Sequence, residues 1–116
     1  MRLLLKSCLA CVLAVACSTR KPPPPGADGA TIYRLQNCAN CHGERGEGKS
    51  LGPALDNLGR NWSQADLAGF FADPKPYLGR DARLEKLRKD YPAAMSRYDN
   101  LDESQRSTLA AWLLSR

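Results

Sequence analysis

The sequence predicts an all-α fold. Three segments combine apolar residues at helical spacing with a Ser or Asp that can cap the first turn; they begin at Asp28, Ser63 and Asp102. No run of residues alternates between apolar and polar side chains for the length of a strand. The chain has 116 residues, of which 25% are charged and 43% hydrophobic, so it has room for one small globular domain.

The first residues predict export from the cytoplasm. Arg2 and Lys6 make a basic start, and the apolar stretch 8–16 is too short to span a bilayer as a helix. We therefore interpret residues 1–16 as a signal peptide. Their removal takes away two positive charges and lowers the formal net charge from +5 to +3, so the basic composition does not indicate a nucleic-acid partner.

Residues 14–17, Ala-Val-Ala-Cys, resemble the lipobox of bacterial lipoproteins, where cleavage falls before a cysteine whose thiol receives a diacylglycerol. Ala14 stands where Leu is usual, and an Ala-x-Ala peptidase site that releases a soluble protein is the alternative. We favour lipidation of Cys17, because a free terminal thiol is a liability in an oxidising compartment. The expected location is periplasmic, with a lipid anchor in a bacterial membrane.

A tether is expected over residues 17–27. Four consecutive prolines, Pro22–Pro25, exclude helix and sheet and favour an extended polyproline II conformation. At about 3.1 Å per residue, the segment between the anchor and the folded head would reach about 30 Å at most. The head then covers residues 28–116.

The first helix is expected to begin at Asp28 and to end at a Cys-Ala-Asn-Cys-His run from Cys38 to His42. This C-x-x-C-H spacing is typical of covalent haem attachment, since two thiols can bond to the two vinyl groups of one haem while the next residue ligates its iron. The alternatives are a thioredoxin-like redox pair, which would follow a strand, and half of a zinc site, which would need more ligands although His42 is the only histidine. We therefore predict one haem c bound through Cys38 and Cys41, with His42 on the iron.

Two further helices are expected before the last one. The first opens at Ser63 and closes at the Asp-Pro pair 73–74, because proline cannot continue a helix. The second runs over about residues 81–89, with Leu84 and Leu87 facing inward.

The last helix carries the strongest start signal in the chain. Asp102 is the expected N-cap and Gln105 its partner in a capping box. Leu109, Trp112 and Leu113 then recur at helical spacing and define one apolar face.

Residues 28–116 resemble a class I c-type cytochrome. The resemblance rests on the C-x-x-C-H run after the first helix, on Gly52-Pro53 beyond it, and on Met95 shortly before the last helix. It implies that the first and last helices cross at near right angles, with a covalent haem in the core. The residues expected at that crossing are Gly29 and Tyr33 on the first helix, and Leu109, Trp112 and Leu113 on the last.

The resemblance also implies the groups around the iron. The Pro53 carbonyl would accept a hydrogen bond from His42, which fixes the imidazole and raises its donor strength. Met95 would be the sixth iron ligand, although Ser96 replaces the proline that usually follows it. The alternative for Met95 is a side chain that fills a gap in the core.

Other candidate residues lie between these ligands. Arg60 and Trp62 would hydrogen-bond a haem propionate, as basic residues and a tryptophan do in relatives; packing of Trp62 on Leu67 is the alternative. Basic residues outnumber acidic ones over residues 75–97, which would suit docking of an acidic redox partner. We prefer the alternative that they form the solvated side of a helix.

Ligation by histidine and methionine would make the protein a one-electron carrier, because both ligands suit ferrous and ferric iron. A filled sixth position leaves no place for a substrate, so we expect no enzymatic activity. The expected partners are membrane-bound or periplasmic redox proteins of a respiratory chain. The alternatives are a haem sensor or peroxidase-like enzyme with a displaceable sixth ligand, and a dedicated haem subunit of a larger oxidoreductase.

Overall fold

A computed structural model describes residues 20–116, so the predicted signal peptide and Cys17 lie outside the described residues. Within that range the chain forms six α-helices and a short 3₁₀ turn at Leu58–Arg60. The helices are α1 (Gly29–Leu35), α2 (Ala39–His42), α3 (Gln64–Ala72), α4 (Lys75–Leu78), α5 (Ala82–Asp90) and α6 (Glu103–Leu114). The described residues contain no strand beyond an isolated bridge between Lys49 and Gly52, which confirms the all-α prediction.

The expected caps start the three main helices. The Asp28 carboxylate accepts from the amide three residues on at 2.7 Å, and the Ser63 hydroxyl does the same for α3 at 3.1 Å. At α6 the capping box is complete: the Asp102 carboxylate accepts from the Gln105 amide at 2.7 Å, and the Gln105 side chain accepts from the Asp102 amide at 3.1 Å. A cap of this kind stabilises a helix by about 1 kcal/mol.

Between α3 and the loop that carries Met95, the chain forms two helices where one was expected. α5 begins after Asp81, which caps it, and buries Leu84 as predicted. α4 was not predicted, because a four-residue helix with Pro76 in its first turn is too short to show helical periodicity. The two helices pack on each other.

The core lies where α1 and α3 pack on α6. Ile32 of α1 and Leu109 and Leu113 of α6 are almost completely buried there. Gly29 lies directly against Trp112, so that a β-carbon at this position would overlap the Trp112 side chain. The helix contact expected at Gly29 is therefore present, and the absence of a side chain is what allows it.

Contacts to the head extend further towards the N-terminus than the expected boundary at Asp28. Pro23 is buried, and its carbonyl accepts from Gln105 Nε2 at 3.1 Å. The Lys21 carbonyl accepts from Gln36 Nε2, and the Arg20 guanidinium lies over the Tyr98 ring. Part of the proline-rich segment thus packs on the folded domain, whereas the sequence led us to expect a free spacer.

Across residues 20–116, none of the helices has both the length and the apolar character needed to cross a bilayer.

Candidate functional site

The predicted attachment residues project from one turn of helix. Cys38 is the N-cap residue of α2, and its carbonyl accepts from the amides of Cys41 and His42 at 3.2 and 3.0 Å. Because residues three and four apart lie on the same face of a helix, both sulfur atoms and the imidazole share one side of the turn. Cys38 is 8% exposed, Cys41 and His42 are half-buried, and both thiols are free.

His42 is oriented from behind by the loop that follows it. Its Nδ1 lies 2.7 Å from the Pro53 carbonyl oxygen, which is the contact that the sequence resemblance implied. A carbonyl oxygen can only accept, so Nδ1 carries the hydrogen, and in the neutral imidazole Nε2 is then the nitrogen with the free lone pair. An imidazole in this tautomer presents Nε2 to a metal ion, and the bond to Pro53 increases its donor strength.

The loop approaches His42 so closely that residue 52 has to be glycine. A β-carbon on Gly52 would lie 2.8 Å from the Cys41 carbonyl oxygen and 3.1 Å from the imidazole ring. The loop is tied back by the Gly48 amide, which donates to the His42 carbonyl at 2.7 Å. Gly52 therefore permits the close approach of the loop to His42, and Pro53 provides the carbonyl that accepts from the imidazole.

Two buried tyrosines next to the cysteines were not singled out as site residues by the sequence. The Tyr33 hydroxyl donates to the Gly43 carbonyl at 2.6 Å and so ties α1 to the residue after His42. Burial raises the pKa of Tyr33 to about 12, with a contribution from Cys38. Burial likewise raises the pKa of Tyr98 to about 12, and the neighbouring Cys38 adds to the rise. Both hydroxyls therefore stay protonated as hydrogen-bond donors.

The Cys38 thiol is itself enclosed in this apolar environment. Burial raises its pKa to about 11, which outweighs the opposing effects of Arg20 and Tyr98. The thiol is therefore protonated at neutral pH in the chain before attachment. Cys38 and Cys41 would hold one haem, each through a carbon–sulfur bond to one of its vinyl groups.

The residues of this turn and loop fit a covalently held haem. Two thiols and an imidazole share one helical turn, and the imidazole nitrogen that faces away from Pro53 is free to ligate iron. Although Cys38, Cys41 and His42 share this turn, they do not converge on one point as zinc ligands would, and residues 20–116 contain no other such group of three His, Cys, Asp or Glu side chains.

The sequence model of the family described as cytochrome c matches residues 26–116, which is most of the chain. The chain belongs to the cytochrome c family. The fold is accordingly the all-α cytochrome c fold, and haem c is bound covalently through Cys38 and Cys41. Haem supplies one-electron exchange between ferrous and ferric iron, so the general function is haem-based electron transfer. Neither the curated proteins nor the solved structures include a significant match.

In this cytochrome c, Met95 packs against the apolar core. Its side chain is half-buried beside the cluster that contains Cys38 and Tyr98. The Tyr98 amide donates to the Phe71 carbonyl at 2.8 Å, which fixes the loop that carries Met95 to α3. The role of Met95 as sixth ligand stays a prediction, since a methionine that fills the core would also pack in this way.

Trp62 of the cytochrome lies in an aromatic cluster that the sequence did not predict. Its ring centroid is 5.1 Å from that of Phe70 and 5.8 Å from that of Tyr77, and the Arg83 guanidinium carbon lies 5.4 Å above the indole. The cluster joins α4 and α5 to α3. Arg60 is exposed at the end of the 3₁₀ turn. The propionate contacts of Arg60 and Trp62 stay predictions.

The basic stretch of residues 75–97 is neutralised in part by its own acidic residues. Three ion pairs occur along it, namely Arg83 with Asp81, Lys86 with Asp90 and Arg88 with Glu85. Two of them have the i,i+4 and i,i+3 spacing of pairs on the surface of a helix. The arrangement favours the interpretation as a solvated helix face, which needs no partner to explain it.

Proposed function

We propose that this cytochrome c is a one-electron carrier and not an enzyme, and that it is held at a membrane by a lipid on Cys17. One observation carries the proposal. The Nδ1 hydrogen bond of His42 to Pro53 fixes the imidazole within the helical turn of residues 38–42, which we call the attachment turn. A rigid ligand changes little between oxidation states. A small structural change on reduction is what fast electron transfer requires.

Met95 is the sixth ligand in this proposal. A thioether is a weak donor that favours ferrous iron, and burial disfavours the additional charge of ferric haem. Both effects raise the reduction potential. With both axial positions filled, no position on the iron is open to a substrate, which is why we propose a carrier in place of a sensor or peroxidase.

Membrane attachment would decide which proteins can exchange electrons with the carrier. The lipobox-like run at residues 14–17 supports export followed by lipidation of Cys17. Several acyl chains, at about 0.8 kcal/mol per buried CH₂, make attachment effectively permanent. We propose that the donor and acceptor are redox proteins on or in the same membrane, on its periplasmic side.

The test of the ligand set is Met95→Ala in the haem-loaded protein. We expect loss of the iron–sulfur charge-transfer band of the oxidised protein, binding of CO to the reduced protein, and a lower reduction potential. The fall should be on the order of 0.2 V, which is a quarter of the range of about 0.8 V that axial ligands span. Ser96→Ala, at the exposed neighbouring residue, is the matched control and should leave all three unchanged. An unchanged spectrum in Met95→Ala would exclude Met95 as ligand.

The test of the anchor is the mass of the mature N-terminus. We expect a diacylglycerol on Cys17 and recovery of the protein with membranes. Cys17→Ser should move the protein to the soluble periplasmic fraction with its haem spectrum intact. A mature chain that begins at Cys17 without lipid would contradict the proposed anchoring and leave the proposed electron transfer standing.

A further inference from the structure

Residues 20–25 contact the head at three places. Gln105 Nε2 donates to the carbonyl of the buried Pro23 at 3.1 Å, and Gln36 Nε2 donates to the Lys21 carbonyl at 3.4 Å. The Arg20 guanidinium carbon lies 4.4 Å from the centroid of the Tyr98 ring. These contacts join the segment to the end of α1, the first turn of α6 and the loop that carries Met95.

Both glutamines are held in place by other bonds, so their amide groups are already positioned for the segment. Gln36 is 1% exposed, and its Oε1 accepts from Asn100 Nδ2 at 2.8 Å. The Oε1 of Gln105 completes the capping box of α6 by accepting from the Asp102 amide. Each glutamine therefore loses little side-chain freedom when its NH₂ group binds a backbone carbonyl of the segment.

The segment is suited to docking by its own composition. Prolines restrict the unbound chain, so less conformational entropy is lost when the segment packs. An extended polyproline conformation makes no internal hydrogen bonds, which leaves its carbonyls free to accept from the head. The segment then enters α1 through a turn in which the Ala27 amide donates to the Pro24 carbonyl at 3.2 Å and Gly26 adopts a φ of +76°.

We propose that residues 20–25 form a strap docked on the head, and that this strap holds the face around Arg20 and Tyr98 against the lipid headgroups of the membrane. The proposal rests on the proposed lipidation of Cys17. Only two residues, Ser18 and Thr19, separate Cys17 from Arg20, so the Cα atoms of Cys17 and Arg20 lie at most about 11 Å apart. The head therefore lies on the membrane surface, and not at the end of a spacer of about 30 Å.

The charges of this face match an anionic membrane surface. Arg20 and its exposed neighbour Lys21, together with the exposed Arg97 and Asp99 on either side of Tyr98, give three positive charges and one negative charge, which leaves this part of the chain net positive. Arg20 and Cys38 both lie next to Tyr98, so the strap lies close to the Cys38 end of the attachment turn.

The docking is tested by trypsin cleavage of the mature haem-loaded protein in detergent. Trypsin can cut after Arg20, whereas the bond after Lys21 resists it because proline follows. Gln105→Glu keeps the oxygen that accepts from the Asp102 amide but removes the donor to Pro23. Loss of one hydrogen bond should raise the cleavage rate about fivefold, with an unchanged haem spectrum and reduction potential.

Gln64→Glu is the matched control, because Gln64 also lies in the first turn of a helix and its Nε2 donates to Ser107 Oγ, away from the strap. It should be cleaved at the rate of the unaltered protein. Equal rates in the two variants, or cleavage of the unaltered protein as fast as of a free peptide of residues 18–25, would overturn the docking.

The position on the membrane is tested with the lipidated protein in vesicles that carry a fluorescent headgroup. The haem should quench that fluorophore strongly, and replacing Pro22–Pro25 by Gly-Ser-Gly-Ser should weaken the quenching at least twofold. Equal quenching would overturn the proposed position. If mass spectrometry shows no lipid on Cys17, the anchoring and the membrane position both fail, while the trypsin experiment still decides whether the strap is docked.

Discussion

At the scale of single residues, the site depends on how closely the backbone can approach His42. The ring lies between its own helical turn and the loop at residues 52–53, and it is bonded to Pro53 through Nδ1. A shift of this loop would change both the direction of the imidazole and the basicity of Nε2. Gly52 therefore helps to orient the predicted iron ligand His42.

Gly52→Ala tests this directly. The added β-carbon would meet the Cys41 carbonyl at 2.8 Å and the His42 ring at 3.1 Å, so the loop has to move outward and lengthen the bond to Pro53. We expect a fall in stability of about 1 to 3 kcal/mol, typical of overpacking, and a lower affinity of His42 for the iron. Denaturant titration measures the loss of stability. An acid titration of the haem spectrum measures the weaker binding of His42, and the ligand should be lost at a higher pH than in the original protein.

The control for this substitution is Gly59→Ala. A β-carbon on Gly59 meets no atom within 4 Å, and residue 59 lies in the 3₁₀ turn outside the attachment loop. Its stability should stay within about 0.5 kcal/mol of the original. If both variants behave alike, the close approach at Gly52 has no energetic importance.

At the scale of helices, α1 and α6 are joined by one contact that admits no side chain. Gly29 lies under Trp112, and the Tyr33 and Trp112 rings pack with their centroids 5.3 Å apart. Because α1 leads into the attachment turn and α6 follows the loop of Met95, this contact sets the spacing of the two predicted iron ligands.

Gly29→Ala should separate the two helices. Alanine favours a helix more than glycine does, but the overlap with Trp112 outweighs that gain, and we expect a net loss of about 2 to 3 kcal/mol. Thermal unfolding of the haem-loaded protein measures the loss. The overlap involves the Trp112 β-carbon, so Gly29→Ser, whose β-carbon meets the same atoms, should lose at least as much, and a Gly29→Ala variant as stable as the original protein would show that the contact has no energetic importance.

The cap of α1 makes stability depend on pH. Hydrogen bonds from the Thr31 side chain and amide hold the pKa of Asp28 below its ordinary value of 3.8. A carboxyl with a lowered folded-state pKa stabilises the fold fully above the unfolded value and loses this effect as the pH falls through the folded value. Asp28→Asn caps the helix without a charge.

We therefore expect the melting temperature of the original protein, relative to Asp28→Asn, to be higher at pH 6 and to decline as the pH drops below 3.8. Melting curves of both proteins at matched ionic strength give this difference, in which acid effects on the haem cancel. A difference that stays constant down to pH 2 would show that the Asp28 charge does not contribute.

Helix starts could be predicted from the sequence because a cap and the residues that it serves are close neighbours. Asp28, Ser63 and Asp102 all cap the helices expected of them. Docking of Pro23 could not be predicted in the same way. Its partner Gln105 is 82 residues away, and no local pattern records such a contact.

At the scale of the whole molecule, haem would enlarge the apolar core. Two tyrosines, Cys38 and the face of Met95 line a region in which the family encloses haem, and a chain of this size buries only a limited share of its surface. Haem would add its own apolar surface to the cluster that these side chains form.

The protein made in a host without the haem-attachment machinery should therefore lack a fixed tertiary structure. We expect weak near-ultraviolet circular dichroism, partial helix content and a broad unfolding transition, as in a molten globule. The haem-loaded protein should unfold cooperatively. An apoprotein that unfolds as sharply, and with the same dependence on denaturant, would show that the polypeptide core is sufficient.

The attachment turn was predictable because its chemistry is contained in five consecutive residues, and the Gly-Pro pair because it recurs in the family. The surroundings of Cys38 could not be predicted from the sequence. Tyr98 reaches Cys38 only because the loop after Met95 is bonded to Phe71, a contact between distant parts of the chain. The aromatic cluster at Trp62 depends on α4, which was itself too short to predict.

Gln36 connects two segments that lie on opposite sides of it in the sequence. Its Nε2 binds the carbonyl of Lys21, and its Oε1 binds Asn100, in the loop that also carries Met95. A mechanical pull on the N-terminal end would therefore be borne by Arg20 on Tyr98 and by Gln36, which passes it on to Asn100. If Cys17 carries the proposed lipid, tension at the membrane would reach the loop of the predicted iron ligand through these two contacts.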